Sequence, residues 1–488
     1  MAMFNYFSVK PFRSAFYKDI SKKQPRLEYV GGAFLAATFC AGIINSSPSY
    51  AVPPVWSTPP VTLISTQLLG ANGDLLNGQQ VEINGKGQVV TAWVKGSSML
   101  QAKVRIKNQW GNAITLVSDG LGQTTNLLHL AESPLGEAVA VYTFKPTPLS
   151  ASSTLTTFYN AGQWSLPAAI PATPGATVLN ARVRYDGQVT LPATPTATLV
   201  WVEQTGTTCS IKAATGKAAT GWSVPTTIGS GCYSFIQLAV NKRGEAAVAL
   251  GTSGFGRRGS PAIVTSRNTA GVWSGLTDLG SLTYGTPPVV AIPNNGAAIA
   301  LFSDAMLGVQ WSRRSPTDGS WSAKQTLDGG VPAVPTGIAM AANGTAVAVY
   351  NSYYTNVPPS SLFASTLRAG SHIWSVPVSI TDPNGTIESF QVSATPAGSF
   401  VVGWVDSAPT LPVGVQGSSE GVSALVAGTL DWSNSTLDGD MTGTFISPSP
   451  TAVSAAAGRA IVVWNNNNYD DSLTYVYSVL NAATTSIK

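Results

Sequence analysis

Two kinds of short apolar run alternate along this chain. In the first, apolar and polar residues take turns, as in Phe390-Gln391-Val392-Ser393, the period-two pattern of a strand with one face covered. A polar-glycine turn follows, then a run apolar at nearly every position, such as Ala346-Val347-Ala348-Val349, which reads as a strand covered on both faces. Asn-Gly, Pro-Asn-Asn-Gly and Arg-Gly at the junctions tolerate positive φ, so each pair of runs predicts a hairpin. A third run, for example Ile263-Val264-Thr265 or Leu362-Phe363-Ala364, comes next. A tryptophan-led stretch of the form Gly-x-Trp-Ser-x-Pro closes the unit, giving four predicted strands.

The hairpin turns centre on Gly87, Gly136, Gly187, Gly244, Gly296, Gly344, Gly398 and Gly458, spaced from 48 residues (Gly296 to Gly344) to 60 (Gly398 to Gly458). The copy around Gly187 is interrupted. Trp164, Trp222, Trp273, Trp321, Trp374 and Trp432 lead the tryptophan strands with serine next, and glycine follows Trp110 instead. Four strands in each unit of about 50 residues make a propeller blade. The predicted fold is therefore all-β, a single β-propeller of eight four-stranded blades, or seven if the Gly187 unit falls short of a blade. The last hairpin has no tryptophan strand after it, whereas Trp56 opens VWSTPPVTLIS before the first hairpin. The N-terminal strand is thus predicted to complete the last blade and close the ring, hiding edges that an open array would expose.

The phrases NGxAxAxW and GxWSxP resemble those of secreted bacterial propeller repeat proteins, over nearly all of the chain after residue 51. The resemblance implies a propeller fold and export, and no activity, because propellers host many functions. Residues 1–51 read as a signal peptide with a long basic leader (Lys10, Arg13, Lys18, Lys22, Lys23, Arg26), and 52–488 as the propeller domain. The apolar stretch 31–44 is short for a bilayer span, and Ser49-Tyr50-Ala51 places small residues at −3 and −1 of a cleavage site. A retained membrane anchor is the alternative. The expected destination is secreted, periplasmic or cell-surface, with no membrane span after cleavage and a monomeric chain. The leader holds six of the 27 Lys+Arg and two of the 23 Asp+Glu, leaving 21 of each sign. The mature chain is near neutral with no basic stripe, which argues against nucleic acid as a partner. Cys209 and Cys232, 23 residues apart, are expected to form a disulfide in an exported chain.

Candidate chemistry is sparse. There is no HExxH, GxSxG or P-loop, and His129 and His372 fall in different units with no metal-spaced partner, so structural roles and no cofactor are expected. The repeated Ser-x-Asp-x-Gly-x-x-Trp turn of sialidases is approached once, out of alignment, at Ser315 to Trp321. Asp470 and Asp471, after Asn465 to Asn468, put oxygen donors into one predicted loop; a solvated turn is the default reading and a cation site the other. The connections between second and third strands are long and dissimilar, and in a propeller they gather on one face. They carry Arg257 and Arg258, and Asn351 beside Tyr353 and Tyr354, a set suited to stacking on a sugar and bonding its hydroxyls. One predicted function is a recognition module for a glycan or cell-surface protein on that face. The alternative is a polysaccharide hydrolase or lyase using Glu203, Asp304 and Asp406, which fall at similar points in their units near the channel.

Overall fold

In a computed structural model, the chain is described over residues 54–487, outside the segments 58–59, 68–75, 97, 119–124, 148–149, 188–193, 253–259, 283–286, 305–306, 328–332, 353–360, 382–385, 409–416, 430, 439–445, 449–451, 457 and 470–474. Eight antiparallel sheets of four or five strands form an eight-bladed β-propeller. The innermost strands of blades 1 to 8 are Leu76–Ile83, Thr125–Glu132, Thr177–Tyr185, Phe235–Val240, Val289–Ala291, Ala333–Met340, Thr386–Ala394 and Ala452–Ala456. Each touches the next around the ring, and Ala452–Ala456 touches Leu76–Ile83. The interrupted Gly187 unit is a complete blade, because Thr177–Tyr185 pairs along its length with Ala197–Thr205.

The second strands are apolar on both faces because a neighbouring sheet covers each face. Val89–Lys95, Ala246–Gly251 and Ile299–Asp304 are buried at every residue except Lys95 and Asp304. The turns between first and second strands repeat one bond pattern. In blade 4 the Gly244 amide donates to the Asn241 carbonyl (3.0 Å), and Asn241 Oδ1 accepts from the Arg243 and Glu245 amides (2.9 and 3.1 Å). Gly244 sits at φ 76°, where a side chain would be strained.

The Trp-Ser phrase is explained by the outer edge of each blade. In blade 4 the Ser274 amide donates to the Ser266 carbonyl (2.7 Å), and Ser274 Oγ accepts from the Ser266 amide (3.0 Å). Ser165, Ser223, Ser322 and Ser375 make the same pair of bonds to the third strands of blades 2, 3, 5 and 6. Ser57 does so to Thr484, at 2.9 and 3.0 Å, in blade 8. The segment after Trp56, Val61–Gln67, pairs antiparallel with Tyr475–Ser486, and Trp56 packs with Val462, Trp464 and Ala483 beside the Gly458 hairpin. The ring closes as the phrase order predicts.

Cys209 and Cys232 form a disulfide with Cα atoms 5.0 Å apart. It ties the start of the third strand of blade 3, Thr208–Lys217, to the link that leads into blade 4.

Candidate functional site

Glu203, Asp304 and Asp406 occupy the second strands of blades 3, 5 and 7, towards the end where second and third strands are joined. They lie one strand outward from the channel wall and on alternate blades. Glu203 is buried, at 3% exposure. Its carboxylate accepts from the Thr173 amide (3.0 Å), the Thr173 hydroxyl and the Trp201 indole N–H (2.9 Å), with Lys212 Nζ at 3.7 Å. Burial by itself would raise its pKa, but the bonds from Thr173 and Trp201 and the Lys212 charge outweigh burial and hold it below the usual range. Thr173 belongs to the link between blades 2 and 3, so Glu203 fastens that link to the sheet. Asp304 faces Lys324 Nζ at 3.4 Å. Asp406 pairs in register with Ile387 and Ser419, and its side chain lies outside the described residues.

Asn351 is the last residue but one of the second strand of blade 6, Ala346–Ser352, and is half-buried. Tyr353, Tyr354, Arg257, Arg258, Asp470 and Asp471 lie outside the described residues. The expected loop at Asn465 to Asn468 is instead part of the strand Arg459–Tyr469. Pairing on both edges, with Tyr475–Ser486 on one side and Ile446–Pro448 on the other, overrides the turn preference of asparagine. Among the described residues no group of three or more His, Cys, Asp or Glu is placed to hold a metal ion.

The first strands of all eight blades enclose a central cavity of about 540 Å3. Its polar groups come chiefly from blades 1 to 3. Arg184 of blade 3 donates to Glu82 of blade 1, forming an ion pair, and Glu82 also accepts from the Ser454 hydroxyl of blade 8 (3.1 Å). Ser454 Oγ in turn accepts from the Ile83 amide (3.1 Å), so the ring junction is bonded at the wall. Arg182 donates to the Leu128 carbonyl (3.1 Å), the Ala181 carbonyl and Asn180 Oδ1 (both 2.9 Å).

Glu132, Tyr185 and His129 complete this arc. Glu132 Oε1 accepts from Asn84 Nδ2 (3.0 Å). Burial, followed by the neighbouring Glu82 charge, pushes the Glu132 pKa up to about 10. Burial and then the charges of Arg184 and Arg182 hold His129 well below its ordinary value, against backbone hydrogen bonds with Val183 and Leu130. Tyr185 is raised by burial, with Glu137 and Asp186 adding to it. From its sequence His129 is expected to have a structural place, and no motif marks the other five. The available signal was polar residues at alternating positions of a first strand, as in Gln80/Glu82 and Arg182/Arg184, because the inward side of that strand lines the channel.

No family model and no curated protein sequence matches the chain. Among solved structures, the WD40 domain of SCAP from fission yeast aligns over 89% of this chain and 98% of its own, at 11% identity and TM-score 0.49. A protein of unknown function from Dyadobacter fermentans aligns over 88% and 100%, at 8% identity and TM-score 0.39. A lectin of Aleuria aurantia in complex with Fucα1-6GlcNAc aligns over 78% and 99%, at 11% identity and TM-score 0.38. The assignment of eight blades stands on the sheet topology itself.

Proposed function

We propose that the chain is an exported, monomeric recognition module, secreted or held in the periplasm or at the cell surface. It binds a glycan or a surface protein through the face built by the connections between second and third strands. The observation that carries this reading is the contrast between the two ends of the blades. At one end, blades 1, 2, 4, 6 and 7 repeat the same glycine turn, at Gly87, Gly136, Gly244, Gly344 and Gly398, each amide donating to the carbonyl three residues earlier. At the other end, the connection is 206–207 in blade 3 but 353–361 in blade 6 and 409–416 in blade 7. A constant scaffold that varies one set of connections is how rigid sheets carry recognition. Within that face, Tyr353 and Tyr354 beside Asn351 are the sugar-stacking set, and Arg257 and Arg258 contribute from blade 4. A binding role is favoured over polysaccharide cleavage because Glu203 and Asp304 are each engaged by a neighbour.

The test is a glycan-array screen of the chain from Val52, with a Tyr353→Ala/Tyr354→Ala double variant alongside. Saturable binding that the double variant loses supports the reading. No binding to any glycan shifts the ligand to a protein. Binding unchanged both in that variant and in Arg257→Ala/Arg258→Ala overturns the assignment of the face.

A further inference from the structure

The inner wall of the ring carries its charge on one arc. Blades 1 to 3 contribute its charged and titratable groups, whereas blades 4 to 6 contribute mainly apolar residues, Val240, Val290, Ile338 and Met340 among them. Arg182 and Arg184 stand two residues apart on Thr177–Tyr185, so both side chains leave the strand on the channel side, about 6.6 Å apart along it. Arg184 is paired with Glu82, and its side chain is still 37% exposed.

Arg182 is placed differently. Its bonds all run from Nη1 to neutral acceptors, the Leu128 and Ala181 carbonyls and Asn180 Oδ1. Among the described residues no carboxylate pairs with it. Its Nε and Nη2 are not bonded within the described protein and, unlike Arg105 Nε, are not sealed from solvent. Arg182 lines the cavity and is half-buried, so this edge of the guanidinium is open to a solute in the channel. Burial and then the Arg184 charge lower its pKa to about 10, which leaves it charged at neutral pH. Glu132 is held protonated and His129 neutral, so neither offsets it. Two guanidiniums thus face the single ionised carboxylate of Glu82, and among the described residues the arc holds one positive charge in excess. A charge taken from bulk water without a counter-charge is costly, and an anion at Arg182 would offset both the burial and the repulsion. The cavity, at about 540 Å3, is within the size range of small-molecule sites, about 300–1,000 Å3.

We propose that the channel is a binding site, separate from the loop-bearing face, for a small monocarboxylate with an apolar body. The carboxylate accepts from Nε and Nη2 of Arg182, the edge that a guanidinium offers for two parallel bonds, with Arg184 beside it. The carbon skeleton rests towards Ile338 and Met340. One negative charge matches the excess of one positive charge, which a dianion would overshoot.

The test is isothermal titration calorimetry of the chain from Val52 with benzoate, phenylacetate and isocaproate, each beside its uncharged amide, and with inorganic phosphate and sulfate. At least one carboxylate is expected to bind, about tenfold or more tighter than its amide. Arg182→Gln should weaken that binding about 10- to 100-fold, the loss of charge-assisted hydrogen bonds. Glu82→Gln keeps an acceptor for Arg184 but removes the ionised carboxylate of the arc, so it should tighten binding about threefold or more. A purely structural role for these residues predicts weakening in both variants. The Tyr353→Ala/Tyr354→Ala variant should bind unchanged, so failure here and failure of the loop-face reading are distinguishable. Absence of binding by all three carboxylates overturns the proposal. So does equal binding of the amides, weaker binding in Glu82→Gln, or binding lost in the loop variant and kept in Arg182→Gln. Stronger binding of phosphate or sulfate than of any carboxylate overturns the assignment of the ligand as a monocarboxylate.

Discussion

Trp56→Ala removes the indole that the N-terminal segment sets between blades 7 and 8. Trp56 is 5% exposed and shares a cluster with Val401 and Val422 of blade 7 and with Val462, Trp464 and Ala483 of blade 8. A buried tryptophan removes roughly 150–250 Å2 from water, which at about 25 cal/mol per Å2 is worth about 4–6 kcal/mol. Alanine keeps the Cβ share, and the extended-chain reference overstates the area, so the expected loss is about 3–5 kcal/mol. The neighbouring bonds persist in the variant, because they use the Ser57 amide and hydroxyl and the Val55 carbonyl.

The loss should be local. Val61–Gln67 is the outer strand of blade 8 and is covalently remote from its partner Tyr475–Ser486, so weakening the closure opens this pair before any other. Native-state hydrogen exchange read by mass spectrometry is the assay. Protection over Tyr475–Ser486 should fall roughly 100- to 3,000-fold, at tenfold per 1.4 kcal/mol, while Ala197–Lys217 of blade 3 stays within a fewfold of the parent. Unchanged exchange at Tyr475–Ser486, or an equal rise in every blade, would refute the argument that closure depends on this residue.

Reducing the Cys209–Cys232 disulfide, which closes a loop between residues 23 apart, should cost about 3 kcal/mol, read as a lower denaturant midpoint with reductant present. Cys209→Ser should show the lower midpoint with or without reductant. Gly244→Ala places a side chain at φ 76° in open space, so its cost is the backbone penalty alone, about 1–2 kcal/mol by equilibrium unfolding. Glu203 has a lowered pKa in the fold, so the unfolded chain binds more protons in the acid range. Its contribution is complete above the unfolded value and is lost as pH falls through the lower folded one. Unfolding midpoints between about pH 3 and about pH 7 should therefore show a flatter acid limb in Glu203→Gln than in the parent.

What was legible in the sequence is what every blade needs alike. A serine after tryptophan returns two bonds to the third strand, and Gly111, which replaces it in blade 1, keeps only the amide bond to the Val104 carbonyl (2.9 Å). Glycine recurs where the hairpin demands positive φ, at Gly87, Gly136, Gly296 and Gly458 as at Gly244. Trp56 could be assigned to the last blade because its missing partner stood out against that regularity. The strand at Asn465 to Asn468 was not legible, since its pairing with Ile446–Pro448 involves a segment outside the repeated phrases. Nor was Glu203 legible as a fastening to Thr173, because that contact spans 30 residues with no phrase to mark it.

The channel was illegible for a related reason, and the reason bears on function. Positions that answer backbone demands repeat, whereas a residue on the inward side of a first strand answers only to what occupies the axis. Repetition is silent there, and departures from the average unit carry the information. The departures are not scattered. Glu82, His129, Glu132, Arg182, Arg184 and Tyr185 fall in three successive blades, while Val289–Ala291 of blade 5 carries no polar side chain. Arg184 reaches Glu82 from two blades away, and its charge bears on His129 of the blade between, so the three strands act as one electrostatic unit. Such groups stand on paired strands rather than on connections. Side chains held on paired strands in this way lose little free energy to ordering when they meet a partner. The inward positions of these three strands are thus set by one another across the channel, which is why no single repeat unit reveals them.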